Sequence, residues 1–514
     1  MATNETPEKR SGGLFVNQLE PICAPATATG GAVAIVRVSG KRCTDIVATI
    51  FQTATAKPLI QAASGHARFG HITDEDGQVV DECLVTLFRA PHSYTGEDCA
   101  EISLHGSAYI VSETLRLLCK HGCRMAEPGE FTQRAYLNGK MDLSQAEAVA
   151  DLIASSSKAA HDVAINQLRG HFSDELARLR DGLQRLAALL ELELDFDEHE
   201  TDEFADRSEL FALAQQAAKR VKALAQSYDT GEALKNGVPV AIVGKTNVGK
   251  STLLNRLLKD ERAIVSDTHG TTRDTVEDTV LLNGVPFRFI DTAGLRHTDD
   301  NVERIGIERT YKAIAGARVV IHVFDETPTP EERNEIKRLA ADKGLVSVRN
   351  KADLLHDPGH QDQQDDYLFT ESHDQDLQGE LQSRDVIEIS AKHDTDLTSL
   401  EEAIFAAAHL DALAESDTIV TSARHRDALL RAHDALLRVT AALKPSTATL
   451  NPNTANFNSI STNSEPNSKI PSLPPDLIAE DLRLAIARLA EITGHAITPE
   501  TTLRHIFSHF CVGK

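Results

Sequence analysis

The sequence predicts a multidomain protein: an α+β N-terminal domain, a discontinuous helical domain, and an α/β domain inserted into the helical one. Three observations predict this arrangement. A length of 514 residues is enough for three or four domains. Short apolar, strand-like runs lie within residues 236–408, each followed by a polar motif. Apolar residues recur at three- and four-residue steps on both sides of that segment, as in long helices.

Composition narrows the class of protein. An apolar content of 41% excludes wholesale disorder, and a net charge of −24 excludes a generally basic nucleic-acid coat protein. The seven cysteines are odd in number and scattered, so they form no disulfide framework and fit a reducing compartment. The polar start carries no secretory signal, and no apolar run is long enough to span a membrane. We therefore expect a cytoplasmic protein.

The first polar motif is a phosphate-binding loop. Residues 240–243 (VAIV) are predicted to form a buried strand, and residues 244–251 (GKTNVGKS) match G-x-x-x-x-G-K-[ST] before a helical run. Glycines let backbone N–H groups surround phosphates, and the helix N-terminus adds its positive end. Lys250 is expected to reach the β- and γ-phosphates, and Ser251 to bind Mg²⁺.

Three further motifs follow strand-like runs in order: residues 291–294 (DTAG), 350–353 (NKAD) and 390–392 (SAK). Asp291 can hold the shell of the Mg²⁺ ion. The carboxylate of Asp353 can accept hydrogen bonds from guanine N1–H and the 2-amino group, which adenine lacks.

The stem of Lys351 can cover the plane of the base, and the backbone amides of residues 390–392 can bind the guanine oxygen. The four motifs together predict a GTPase. Phosphate-loop ATPases share the first motif but lack the third. The residues expected to contact GTP are Asn247, Val248, Gly249, Lys250, Ser251, Thr252, Ser266, Asp267, Thr268, His269, Gly270, Thr271, Thr272, Asp291, Thr292, Ala293, Gly294, Asn350, Lys351, Asp353, Ser390, Ala391 and Lys392.

Hydrolysis needs groups beyond these. Thr272 lies in the loop expected to close over the γ-phosphate and is the natural second Mg²⁺ ligand. Leu295 stands where Ras-like enzymes have the glutamine that positions water, and it cannot form hydrogen bonds through its side chain. Asn247 could hold a monovalent cation in place of an arginine finger, or merely stabilise its loop. Glu303 could orient water, or merely lie on a solvated helix face.

The sequence resembles a known family, the tRNA-modifying GTPases called MnmE or TrmE. The resemblance covers nearly the whole chain except the first dozen residues and two inserts. Val512 stands where the family usually has isoleucine. The motifs that carry the resemblance are residues 95–98 (TGED), 128–132 (PGEFT), 134–140 (RAYLNGK), 142–143 (DL), 145–148 (QAEA), 270–274 (GTTRD), 302–309 (VERIGIER) and 510–514 (FCVGK).

The resemblance implies a potassium-activated GTPase that works as a homodimer. With a flavoprotein resembling MnmG (GidA), in a heterotetramer, it would add a carboxymethylaminomethyl-type group to C5 of the wobble uridine of certain tRNAs. Carried over by position, Glu303, Lys250 and Asn247 would be catalytic. Mg²⁺ would be bound by Ser251 and Thr272. Potassium would be bound by Asn247, Ser266, Thr268 and Thr271.

The resemblance also divides the chain. Residues 14–140 would bind 5-formyl- or methylene-tetrahydrofolate and make the dimer, and residues 236–408 would form the Ras-like GTPase domain. Residues 141–235 and 409–514 would form the helical domain. The positions that match folate ligands are Arg37, Glu101, Lys140 and Lys514. Cations suit the glutamyl carboxylates and a carboxylate suits the pterin donors. From the residues alone, each would be an ordinary surface charge.

Helices are predicted on both sides of the GTPase segment. Ser144 and Glu147 resemble a capping box. One predicted seam comprises Leu168, Phe172, Leu176, Leu179, Leu183, Leu186 and Leu190. The other comprises Ile478, Leu482, Ala485, Ile486, Leu489 and Ile492, and Gly494 closes it. Residues 409–443 are predicted to be helical, and the polar stretches 356–385 and 445–475 are predicted to be surface inserts.

Two cysteine motifs leave alternatives open. Cys511 could present a thiol near the one-carbon chemistry, or be a buried small residue that anchors the tail. Its position is that of a prenylation box, but the glycine and lysine after it fit one poorly. Cys119 and Cys123 flank His121 but lack a second ligand pair for zinc.

Two other functions would leave distinct features in the sequence. A ribosome-assembly GTPase, acting as an RNA-binding release factor, would carry a basic RNA-binding module such as a KH domain, and none is visible. A GTP-switched scaffold that has lost folate binding would lack the cations Arg37, Lys140 and Lys514, which are present.

Overall fold

A computed structural model describes residues 20–196, 207–260, 278–290, 311–355, 386–393, 397–410, 418–444, 475–495, 500–508, 510 and 512–513. The described residues form two compact units. The first takes its residues from 1–153, 167–221 and 428–514, and the second from 154–166 and 222–427. Mixed α/β and helical content is therefore present, as the sequence predicts.

The first unit contains a seven-stranded sheet in the order β3-β4-β5-β6-β2-β1-β7. Its pairs are antiparallel except β1 with β7. The strands are β1 (Ile22–Pro25), β2 (Val33–Ser39), β3 (Phe51–Thr53), β4 (Ala67–Thr73), β5 (Val79–Phe88), β6 (Cys99–His105) and β7 (Arg124–Met125). The sequence predicts β5 with the same bounds.

Helices α1 (Cys43–Ile50) and α2 (Ala108–Lys120) pack on this sheet. The core includes Val36 and Val38 of β2, Val85 and Leu87 of β5, and Leu117 of α2. Because side chains alternate along a strand, Arg37 lies on the opposite face of β2 from Val36 and Val38. The face with Arg37 carries the first of the two candidate sites.

Six helices follow: α3 (Glu130–Leu137), α4 (Leu143–Ala154), α5 (Lys158–Leu168), α6 (His171–Phe196), α7 (Arg207–Gln226) and α8 (Tyr228–Asn236). The capping box at α4 is formed by Asp142 and Gln145, not by Ser144 and Glu147. Asp142 Oδ1 accepts from the Gln145 backbone N–H at 2.9 Å, and Gln145 Oε1 accepts from the Asp142 N–H at 2.9 Å. The hydroxyl of Ser144 instead donates to Asp142 Oδ1 at 2.7 Å.

The apolar seam on α6 is interrupted at its start. Gly170, with φ of 91°, ends α5, so Leu168 belongs to α5 and the seam on α6 begins at Phe172. Phe172, Leu176 and Leu183 on α6 are buried. Within the first unit, α6 packs against α13 (Pro475–Thr493). The guanidinium of Arg483 on α13 pairs with Glu191 on α6 at 2.6 Å.

Helices α12 (Ala423–Leu443) and α14 (Glu500–Ser508) lie on either side of α13 in sequence. The prediction of helix from residue 409 is wrong at its start, because residues 418–422 are not helical and α12 begins at Ala423. The predicted insert 356–385 lies outside the described residues. The other insert does too, except that its last residue, Pro475, begins α13.

The second unit contains a six-stranded sheet in the order β13-β12-β11-β8-β10-β9. Its strands are β8 (Val238–Val243), β9 (Asp278–Leu282), β10 (Val285–Phe289), β11 (Val319–Phe324), β12 (Gly344–Arg349) and β13 (Val386–Glu388). Its helices include α9 (Lys250–Asp260), α10 (Pro330–Leu339) and α11 (Thr398–Ala407). All strand pairs are parallel except β9 with β10.

The carboxyl ends of β8, β11, β12 and β13 therefore meet at one edge of this sheet, where open α/β sheets bind ligands. The residues that follow these strands are Gly244, Asp325, Asn350 and Ile389. None of the described helices is long and apolar enough to cross a membrane.

Candidate nucleotide and folate sites

The loop after β8 has backbone conformations that require its glycines. Gly244 has a φ of 148°, and a Cβ there would lie 2.0 Å from the Val323 carbonyl oxygen. Gly249 has a φ of 96°, and a Cβ there would lie 2.1 Å from Asn350 Nδ2. Both approaches exclude any larger residue. The loop is therefore held close to β11 on one side and to Asn350 on the other.

Lys250 begins α9 and its ammonium folds back over the loop. Its Nζ donates to the carbonyls of Gly244 at 2.8 Å and Lys245 at 2.6 Å. Burial lowers the pKa of Lys250, because desolvation disfavours the charged form. A phosphate at the start of α9 would supply the negative charge that this ammonium lacks here. Ser251 and Thr252 follow in the first turn of α9.

Asn350 connects two of the predicted motifs. Its Nδ2 donates to the Val248 carbonyl at 2.7 Å, and its Oδ1 accepts from the Ala391 N–H at 2.9 Å. The side chain is buried, with 4% exposure, so both hydrogen bonds are shielded from water. Asn350 thus fixes the phosphate loop and residues 390–392 in one arrangement.

The carboxylate expected to read the base is already oriented. Asp353 Oδ1 accepts from the Ser390 hydroxyl at 2.5 Å, and this hydrogen bond lowers the pKa of Asp353. The Ala352 N–H donates to the Ile389 carbonyl at 3.1 Å, which holds the two loops together. Lys392 is exposed beside them. The structure thus brings the third and fourth motifs together at the sheet edge.

Two acidic residues that the sequence analysis missed hold lysines of these motifs. Asp325 Oδ2 pairs with Lys351 Nζ at 2.7 Å, and Glu332 of α10 pairs with Lys245 Nζ at 2.8 Å. Asp325 follows the apolar run of β11 directly, and that position was its only signal in the sequence. Asn247 is exposed in the loop, with a φ of 64°.

Several predicted residues lie outside the described residues, and the structure reports nothing of them. Between residues 261 and 310 these are Ser266, Asp267, Thr268, His269, Gly270, Thr271, Thr272, Asp291, Thr292, Ala293, Gly294 and Glu303. Near the end of the chain they are Cys511 and Lys514.

The candidate folate residues Arg37 and Glu101 are cross-strand partners on β2 and β6. Arg37 Nη2 donates to Glu101 Oε1 at 2.9 Å, and Arg37 Nη1 donates to the Gly513 carbonyl at 3.4 Å. The guanidinium also lies 5.1 Å from the ring centre of Tyr94 and 5.8 Å from that of Phe131. Neither aromatic residue was predicted as part of the site.

Lys140 lies against the loop that carries Tyr94. Its Nζ donates to the Pro91 carbonyl at 3.0 Å, and a Cβ on Gly96 would lie 3.2 Å from Lys140 Cγ. This loop joins β5 to β6. Lys140 therefore contacts the segment that leads into the strand carrying Glu101. Burial raises the pKa of Tyr94, which keeps its hydroxyl protonated as a hydrogen-bonding group.

Comparison with known proteins decides the family. Residues 21–140 match the family described as GTP-binding protein TrmE N-terminus, and residues 143–511 match MnmE helical domain. The tRNA modification GTPase MnmE of Phocaeicola vulgatus is 44% identical over 537 residues, covering 97% of this chain and 100% of its own. The protein of the same name from Flavobacterium johnsoniae is 43% identical, covering 97% of this chain and 100% of its own.

This chain belongs to the MnmE family. The match to the MnmE helical domain runs across the second unit and so includes the phosphate loop and Asn350. A crystal structure of the SsGBP and GDP complex is 18% identical, with a TM-score of 0.22, and covers 56% of this chain and 81% of its own. A likeness at that level carries no argument about this MnmE chain.

In the first unit, Cys119 contacts another cysteine. Cys23 Sγ lies 3.8 Å from Cys119 Sγ. A hydrogen bond with Cys123 and burial raise the pKa of Cys23, and burial raises the pKa of Cys119. No group of three or more histidine, cysteine or acidic residues in the described part of the chain is arranged to hold a metal. Cys23 and Cys123 are buried, as expected of small apolar residues.

Proposed function

We propose that this MnmE family member hydrolyses GTP and that hydrolysis serves the modification of tRNA. One observation carries the proposal: Asn350 joins a glycine-dependent phosphate loop to the loop that orients Asp353. This arrangement suits a guanine nucleotide, whose phosphates and base must be bound at opposite ends of one pocket. Relatives 44% identical over nearly the whole chain are named tRNA modification GTPases.

In this proposal Lys250 binds the β- and γ-phosphates and Asp353 accepts from the two guanine donors. Ser251, in the first turn of α9, fits a Mg²⁺ ligand, because hydroxyl oxygen is a donor that Mg²⁺ accepts. The ion would neutralise charge on the transferred phosphoryl group. Thr272 would be the second protein ligand, and Asp291 would hold the water shell.

For hydrolysis we propose Glu303 as the residue that orients water and Asn247 as a ligand of a potassium ion. The exposed amide of Asn247 supports that role, because its left-handed backbone holds it at the loop surface. Ser266, Thr268 and Thr271 would complete the potassium shell. The cation would supply positive charge where other GTPases use an arginine.

We further propose that Arg37, Glu101, Lys140 and Lys514 bind a tetrahydrofolate. These side chains fit a folate. The Glu101 carboxylate can accept hydrogen bonds from a pterin, and the Arg37 guanidinium lies against the aromatic rings of Tyr94 and Phe131. The folate would supply the one-carbon unit. The residues of this chain would bind and orient it, and the Cys511 thiol would lie nearby.

The proposed assembly is a homodimer that joins an MnmG-like flavoprotein and tRNA, with a Ras-like GTPase domain inserted into the helical one. The cross-strand pair Phe69 and Leu84 supports an interface between two copies. Both side chains are exposed, at 54% and 44%, on the face of the sheet opposite its core. The product would be a carboxymethylaminomethyl-type group on C5 of the wobble uridine.

The test is mass spectrometry of tRNA nucleosides from a strain that lacks this protein, rescued with wild type or with Glu303→Ala. We expect C5-modified wobble uridines to vanish on deletion and to return only with wild type. If they persist on deletion, the tRNA role is wrong and the ribosome-assembly alternative leads. If Glu303→Ala restores them, hydrolysis is not coupled to modification through Glu303.

A further inference from the structure

The ion pair between Asp325 and Lys351 joins two neighbouring parallel strands just beyond their carboxyl ends. β11 and β12 are paired up to Phe324 and Arg349, so Asp325 and Asn350 are the next residues on each strand. The Asn350 N–H donates to the Phe324 carbonyl at 2.8 Å, which continues the ladder by one bond. Lys351 then turns back, and its Nζ reaches Asp325 Oδ2 at 2.7 Å.

The backbone and the side chain of Lys351 are held by different contacts. Its φ of 63° is a left-handed conformation that a lysine rarely adopts without support. The two buried hydrogen bonds of Asn350 supply that support on the preceding residue. The side chain still has four rotatable bonds, and ordering it costs conformational entropy. Of the contacts described for Lys351, the bond to Asp325 is the one that holds its ammonium.

We infer that Asp325 is a positioning residue for guanine recognition, acting by holding the Lys351 ammonium so that its aliphatic stem forms one wall for the base. The inference rests on the proposed function and deepens it. Asp353 would read the edge of the base, while the stem of Lys351 would cover its face. The pairing with Lys351 lowers the pKa of Asp325, so its carboxylate stays charged at neutral pH.

The expected effects on nucleotide affinity and on fold stability distinguish this role from that of an ordinary surface ion pair. The side chains of Lys351 and Asp325 are 38% and 32% exposed, and ion pairs at such exposure stabilise a fold only weakly. Because the Lys351 stem is already ordered in the free protein, less conformational entropy is lost when a nucleotide binds. Loss of Asp325 should therefore weaken nucleotide binding about fivefold and change the unfolding temperature little.

The experiment is a fluorescence titration of mant-GDP against the full chain at fixed Mg²⁺. The variants are Asp325→Asn, Lys351→Met, the double variant, and the control Glu388→Gln. Lys351→Met keeps the stem and removes the ammonium. Glu388 pairs with Arg349 across β12 and β13 at 3.5 Å, which makes it a matched ion pair one strand away.

We expect each single variant to lose about fivefold in affinity, the double variant to lose no more than Lys351→Met, and Glu388→Gln to bind as wild type does. Asp325→Glu should restore most of the affinity, which guards against a folding defect in Asp325→Asn. Unchanged affinity in Asp325→Asn, or additive losses in the double variant, overturns the inference alone. A wild-type chain that binds no mant-GDP overturns the proposed function together with it.

Discussion

The amide of Asn350 hydrogen-bonds to the Val248 carbonyl at 2.7 Å, although the two residues are 102 positions apart in the chain. The same side chain accepts from the Ala391 N–H, 41 positions further on. A single buried amide therefore ties together three loops that follow three different strands. Asn350 is therefore a central contact among these loops.

Replacing Asn350 with alanine should destabilise the second unit by about 2 to 4 kcal/mol, because it leaves a buried carbonyl and a buried N–H without partners. GDP binding should be lost with it. Thermal unfolding with and without GDP measures both effects. The control is Asn236→Ala, an exposed amide at the end of α8, which should change neither. Retained GDP binding in Asn350→Ala would show that the loops are held by other contacts.

Gly244→Ala should abolish nucleotide binding and lower the unfolding temperature, because the new Cβ would meet the Val323 carbonyl oxygen at 2.0 Å. The matched control is Gly182→Ala within α6, where nothing lies within 4 Å of the added Cβ. The control should stabilise its helix by about 0.5 to 1 kcal/mol. Equal behaviour of the two variants in a calorimetric scan would contradict the close approach described at Gly244.

Arg37→Lys should weaken binding of 5-formyl-tetrahydrofolate at least tenfold. Lysine cannot bond Glu101 through two nitrogens while its charge lies over the rings of Tyr94 and Phe131. Isothermal titration with the purified chain measures the affinity. Arg116→Lys is the control, since Arg116 forms an exposed pair with Glu113 in the same unit. Unchanged folate affinity in Arg37→Lys would remove Arg37 from the proposed site.

Stability should fall above about pH 9 because of buried thiols. Burial raises the pKa of Cys83 to about 12 from the 9.0 of an exposed thiol. The unfolded chain loses this proton first as the pH rises, so the stabilisation is full below pH 9 and is lost progressively toward pH 12. The expected slope is about 1.4 kcal/mol per pH unit for each such thiol.

Cys83→Ala should flatten that slope while lowering stability at neutral pH, since it leaves a cavity in the core. Urea unfolding between pH 8 and pH 11 measures the difference. Cys43 has a thiol pKa raised to about 12 in the same way, and Cys43→Ala provides a second, independent test. A slope that neither variant changes would mean that other groups govern alkaline stability.

Local features were predictable because their causes are local. Apolar runs and glycine spacing predict β8 and the phosphate loop after it within two residues. Periodicity alone failed at Leu168, because the turn at Gly170 separates two helices whose apolar residues share one spacing. The S-x-x-E pattern at Ser144 was misleading for a similar reason. Asp142 and Gln145 satisfy the same hydrogen bonds two residues earlier.

The sites needed information that no local pattern holds. The pairing of Arg37 with Glu101 depends on the register of β2 and β6, and Tyr94 reaches them from a connecting loop. No sequence motif marks Asp325 as part of the site. Its role follows from a neighbouring strand that ends at the same level of the sheet. Sequence motifs therefore point to candidate ligand-binding residues, and the residues that support them, such as Asp325 and Tyr94, become visible only in the fold.

The contact between Arg37 and the Gly513 carbonyl means that the proposed folate site is completed late in synthesis. The two residues are 476 positions apart, whereas Arg37 and Glu101 are 64 apart. At about 5 to 20 residues per second, Gly513 is added roughly 25 to 95 s after Arg37. Arg37 and Glu101 are thus both synthesised long before the Gly513 carbonyl that contacts Arg37. The pocket is unfinished until translation has passed the GTP-binding segment altogether.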